Sequence, residues 1–236
     1  MLDALIELAA GPLLRLSLLV MALGLARLLA LQVLELALAW NRAGDPVVRW
    51  SLVLRRNLAW TLPTRILRQR HRVLYSASSV IFHAGVIIVP IFLLGHVALW
   101  ERGLGLSWPA LSPRAADVLS LVTVAALVWL LIARVSVPAS RSLSRTQDWL
   151  LPILFLLVFL TGLATAHAAW SPIGARTAYL LHMLSGEALL VLVPFSKLQH
   201  MVLFWTSQTS TELGWRFPPG AGERVRLTLG TDRRGI

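Results

Sequence analysis

The sequence predicts an all-α integral membrane protein, a bundle of five transmembrane helices with the N-terminus outside and the C-terminus in the cytoplasm. Three observations carry that expectation. The chain is 57% hydrophobic and only 14% charged, with a mean hydropathy of +0.72, whereas about a quarter of an ordinary soluble domain is charged. Five apolar windows, at about 4–26, 77–99, 117–137, 149–168 and 179–205, each approach the ~20 residues needed to cross the hydrocarbon layer. The arginines then divide by side: residues 41–76, 134–148 and the tail after 205 hold eight, three and five, while the alternate side holds Arg102, Arg114 and Arg176. An excess of Lys and Arg marks the cytoplasmic side, so the second span runs outward and the fifth inward.

The first window is leucine-rich, punctuated by Arg15, Arg27 and Glu35, and its apolar character continues to Trp40. One span plus a helix leaving the membrane also fits it. It lacks the basic start and small-residue cleavage pattern of a secretory signal and reads as retained. A basic cytoplasmic loop, 41–76, follows. Within it, residues 47–70 interleave Trp50, Leu54, Leu58 and Trp60 with arginines, as in a helix lying in the interface, there to bind lipid or to dock a subunit. His71 of that loop reads as a solvated side chain. The second to fifth spans come next, and the chain ends in a polar cytoplasmic tail, 206–236, where Trp215, Phe217 and the turn at 218–220 suit a docking surface.

The net charge of +11 does not call for nucleic acid, because short loops flanking spans hold nearly all the excess. The chain has no cysteine. Disulfides, cysteine-held iron–sulfur clusters and thioether-attached haem are therefore excluded within it, and any cluster belongs to a partner subunit.

The chemistry lies in four histidines. His182 and His200 stand eighteen residues apart in the fifth window; at about 100° per residue that is about five turns, one helix face and about 27 Å. His83 and His96 lie toward the two ends of the second window, thirteen residues apart. Ionisable groups inside a membrane are costly and face partners within the bundle. With these two spans antiparallel, His83 meets His200 at one side and His96 meets His182 at the other, giving two bis-histidine haem b sites stacked across the membrane. Thirteen residues leave His96 about 140° away from His83 on an ideal helix. Pro90 between them either rewinds the helix to re-aim His96 or is a tolerated membrane proline. Gly85, Gly95 and Gly186 leave room for a flat macrocycle or for close helix packing.

The segments FHAGVIIVPIFLLGH (82–96) and LLHMLSGEALLVLVPFSKLQH (180–200) resemble the haem-bearing helices of the respiratory nitrate reductase gamma subunit family. Within it they are closer to the cytochrome b subunits paired with heterodisulfide-reductase-like iron–sulfur proteins. The separation of His83 from His96, with Pro90 between, departs from nitrate reductase itself and resembles the sulfite-reduction-associated branch more. The resemblance implies that His83 and His200 ligate the cytoplasm-side haem, that His96 and His182 ligate the outer one, and that menaquinol or ubiquinol is the membrane electron carrier.

On that footing the protein is expected to pass electrons between the quinol pool and a cytoplasmic iron–sulfur subunit, in a bacterial or archaeal cytoplasmic (inner) membrane. Lys197 and Arg27 are candidates to pair with haem propionates, although Lys197 also suits snorkelling to the interface. His167 and Glu187 are candidates to take a proton from quinol, against the plainer readings of an interfacial histidine and a hydrogen-bonded buried carboxyl. The rivals are a cofactor-free membrane anchor or transporter subunit, and a b-type cytochrome fed by an external hydrogenase or formate dehydrogenase.

Overall fold

Small residues, with a few large ones such as Leu127 and Phe159 among them, form the interior of this molecule. In the computed structural model, which describes residues 1–42, 50–61, 73–214, 220–228 and 230, Ala116, Ser120, Thr123 and Ala126 are buried on one helix, while Val118, Leu121, Val122, Ile132 and Val135 of the same helix are exposed. That inverts the soluble pattern. Where lipid solvates leucine, helices gain by bringing small side chains together. Two of the buried hydroxyls cost little, because each bonds its own helix one turn back: Thr123 Oγ1 donates to the Leu119 carbonyl and Thr161 Oγ1 to that of Leu157, both at 2.6 Å.

The first helical run is unbroken from Leu2 to Arg42: α1 (Leu2–Leu8), a π-helical turn (Ala9–Leu13) and α2 (Leu14–Arg42). Pro12 lies in the widened turn, which absorbs its missing N–H and its bulk. The sequence placed the end of this span near residue 26, but the stretch to Trp40 is dominated by strong helix formers and nothing there stops the helix. Next come α3 (Trp50–Thr61), α4 (Val73–Phe92), α5 (Leu94–Leu104), α6 (Pro113–Ser136), α7 (Pro138–Leu143), α8 (Thr146–Ala166), α9 (Ala175–Leu192), α10 (His200–Gly214) and α11 (Ala221–Thr228). Two 3₁₀ turns, Val193–Phe195 and Lys197–Gln199, separate α9 from α10. Among the described residues there is no strand, and five helical runs are long and apolar enough to cross a membrane. The chain is a multi-pass, all-α membrane protein. His71, Trp215 and Phe217 lie outside the described residues.

Two spans differ from their sequence-based outline. The second, expected at 77–99, breaks at Leu93, whose extended backbone (ψ 130°) separates α4 from α5. The fifth, expected at 179–205, stops being α-helical after Leu192, with Pro194 in the first 3₁₀ turn and an extended Ser196 following. A straight five-turn stripe joining His182 to His200 therefore does not exist.

Helices α4, α6, α8, α9 and α2 pack in that order, each against the next, and α10 lies along α2 and α3. The backbones of α4, at one end of the row, and α9 make at most marginal contact. The tightest crossing is α4 on α6, where a Cβ at Gly85 would overlap Thr123. Gly85→Ala is therefore expected to destabilise the protein by the ~1–3 kcal/mol typical of overpacking. Thr123→Gly should restore much of this, less the ~1 kcal/mol cost of glycine within a helix. Unfolding midpoints in detergent for both variants and the double variant check it.

Candidate functional site

The histidines of the second and fifth spans share one tether, a bond from Nδ1 to a backbone carbonyl. His83 Nδ1 donates to the Ser79 carbonyl at 2.7 Å, one turn back on α4. His96 donates to the Pro90 carbonyl at 3.0 Å, His182 to the Val158 carbonyl of α8 at 3.0 Å, and His200 to the Lys197 carbonyl at 2.6 Å. A carbonyl only accepts, so each Nδ1 carries the hydrogen and each Nε2 presents its lone pair. Metal-binding histidines are held in this way, which fixes the tautomer and raises ligand basicity.

They also meet in pairs. The rings of His83 and His200 lie 6.1 Å apart with their planes at 80°, and those of His96 and His182 lie 6.0 Å apart with their planes at 2°. These are the two pairs expected from antiparallel spans. Two imidazoles that bind one metal from opposite sides through bonds of about 2 Å hold their ring centres about 6 Å apart. Among the described residues no group of three or more His, Cys, Asp or Glu is gathered to hold a bare metal ion. Each pair offers two nitrogens, a donor set that fits a metal bringing its other ligands with it, as haem iron does.

The break at Leu93 explains how His96 reaches its place. A helix that ends leaves its last carbonyls without intrahelical partners. Here the Pro90 carbonyl takes the His96 imidazole, the Ile91 carbonyl takes Trp108 Nε1 at 2.9 Å, and the Phe92 carbonyl takes the Leu111 N–H at 2.8 Å. The rotation that the ideal helix would impose is thus removed three residues beyond Pro90. His182 is placed by a neighbour instead. Its ring lies on α8 between the Val158 carbonyl and Gly162, where an added Cβ would come within 3.1 Å of the imidazole.

The remaining candidates are dispersed. Lys197 holds the Asp148 carboxylate, with Nζ 2.6 Å from each oxygen. Arg27 is exposed on α2 one turn beyond Gly24, where a Cβ would overlap Pro194, so it stands at the depth of the turn leading to His200. His167 caps α8 and bonds Asp117 of α6, Nε2 to Oδ1 at 2.9 Å. Glu187 is 4% exposed on α9, and neither carboxylate oxygen has a hydrogen-bond partner. Of the three glycines, Gly85 is explained by packing on Thr123, whereas a Cβ at Gly95 or Gly186 would meet nothing within 4 Å. Sequence reasoning missed Asp117, Gln147, Asp148, Val158 and Gly162. The acids at the ends of the third and fourth spans and the Thr161–Gly162 pair were signals; the Val158 carbonyl has none, because every residue owns one.

Comparison with known proteins adds kinship. A protein of Nitratidesulfovibrio vulgaris (strain Hildenborough) is 31% identical over 169 residues, 71% of this chain and 73% of that one. The chain belongs to that protein's family. No protein-family model matches the chain, and no solved structure does. The shared stretch is long enough to hold most of the five spans, so the relative is a natural second subject for every measurement below.

Proposed function

We propose that the protein is a two-haem membrane cytochrome b that carries electrons between quinol and an iron–sulfur partner at the cytoplasmic face. The observation that carries the reading is the pairing of four imidazoles, about 6 Å apart within each pair, every one tied through Nδ1 to a carbonyl. When bound, each haem supplies a one-electron carrier at its level of the membrane. The chain supplies the rest. His83 and His200 would hold one haem near the cytoplasmic face and His96 and His182 the other near the outer face, with orientation taken from the arginine-rich loops. The backbones of α4 and α10, and those of α5 and α9, make at most marginal contact, which leaves the side chains to bridge each pair.

At the outer end the His167–Asp117 pair accepts a proton from a quinol hydroxyl, the carboxylate stabilising the imidazolium that forms. Glu187 offers a second proton-accepting group within the bundle. Arg27 is the better candidate for a propionate, since Asp148 already engages the Lys197 ammonium. The cysteine-free sequence assigns all iron–sulfur chemistry to another subunit, of the heterodisulfide-reductase-like kind that the two histidine motifs suggest. The membrane is the bacterial or archaeal cytoplasmic membrane.

The deciding experiment is a pyridine haemochrome assay with reduced-minus-oxidised spectra on protein purified in mild detergent. Two b haems per chain are expected. A well-folded protein without a Soret band would overturn the reading and leave a cofactor-free anchor or transporter subunit.

A further inference from the structure

His200 differs from the other three histidines in how it is held. His83 hangs on its own helix and His182 on the backbone of α8, but His200 bonds a carbonyl of the short 3₁₀ turn Lys197–Gln199, which stands outside any α-helix. That carbonyl belongs to Lys197, and Lys197 is fastened to the first turn of α8. Its Nζ donates to both Asp148 oxygens at 2.6 Å, and its backbone N–H donates to Gln147 Oε1 at 3.1 Å. Asp148 is fixed in turn. Its carboxylate accepts the Arg145 N–H at 2.9 Å, it lies 4.0 Å from Arg134, and its side chain is 16% exposed.

We propose that Asp148 and Gln147 are positioning residues for His200: through Lys197, the first turn of α8 sets the direction of an imidazole that neither of them touches. The inference rests on the two-haem reading and deepens it by assigning side chains outside the ligand set to one haem alone. Helix α8 then serves both levels, through backbone at Val158 and through side chains at Gln147 and Asp148. Only the second kind of support can be removed by substituting the residue that provides it. The two levels are separable by spectroscopy, because the ring planes of His83 and His200 stand at 80° and those of His96 and His182 at 2°, and the mutual orientation of axial imidazoles shapes the g-anisotropy of a low-spin ferric haem.

The test uses the full chain with its native partner, reading electron paramagnetic resonance and potentiometric titrations, with His83→Ala and His182→Ala assigning the signals. Asp148→Ala is expected to shift the g-values and midpoint potential of the His83–His200 haem and to leave the other unmoved. Gln147→Ala should shift the same signal less, and Asp148→Glu, which keeps the carboxylate, should lie closer to wild type than Asp148→Ala. Asp148→Ala with Lys197→Met should do no more than Asp148→Ala, as expected for residues acting through one link. Unmoved signals in both Asp148→Ala and Gln147→Ala, or equal shifts at both haems, overturn the inference and leave the two-haem reading intact. Wild type without haem overturns both.

Discussion

His182→Ala is expected to empty one haem site and His83→Ala the other, each variant retaining about one haem b where the wild type holds about two. The variants address different pairs, since His182 meets His96 at 6.0 Å and His83 meets His200 at 6.1 Å. Losing a residue that merely orients a metal ligand typically costs about 10–100-fold in metal affinity, so loss of the ligand itself exceeds that. Quinol-driven reduction of the partner should stop in both variants, because each breaks a chain of two carriers. Haem per chain, with the spectrum of the haem that remains, checks it. Loss of the same haem from both variants would contradict the pairing.

The second large effect is expected without touching any histidine. Gly162→Val puts a branched side chain where even a Cβ lies 3.1 Å from His182 Cε1 and 3.2 Å from Nδ1. The imidazole must leave the Val158 carbonyl, and α8 cannot readily retreat because it packs along α9 on that face. The variant should therefore lose the same haem as His182→Ala while keeping all four ligands in its sequence. Gly162→Ala, which asks the ring to give by a few tenths of an ångström, should keep that haem and shift its absorption maximum. Spectra of the two variants side by side, against His182→Ala, decide it. A Gly162→Val protein with two unaltered haems would show that the ring has slack in this direction.

Much of this architecture was legible in the chain. Hydropathy located five spans because the bilayer forces backbone polar groups to be satisfied within long helices, which leaves long apolar windows. Both histidine pairs were legible from depth alone, since antiparallel spans with a histidine near each end bring the ends together. The path was not. Ideal helical periodicity placed His182 and His200 on one continuous stripe, yet the helix is interrupted after Leu192 and His200 opens a new one. The periodicity argument set His96 on the wrong face, and the break at Leu93 puts it right through carbonyls that no side-chain pattern can report. Lys197 shows the same blindness in another form. Its place beside His200 suggested a propionate partner, whereas its ammonium crosses to an acid forty-nine residues earlier in the chain.

The carbonyl tethers have a consequence for how such a protein can vary. Ser79, Pro90, Val158 and Lys197 share no side-chain chemistry, yet each performs the same service for a histidine. A comparison of sequences would find Ser79 and Val158 free to drift, and a scan of single substitutions would score both as silent. What is inherited at such places is a backbone path. An ester in place of the peptide unit that supplies the carbonyl, introduced by chemical synthesis or an expanded genetic code, would weaken the acceptor and expose a dependence that ordinary mutagenesis passes over.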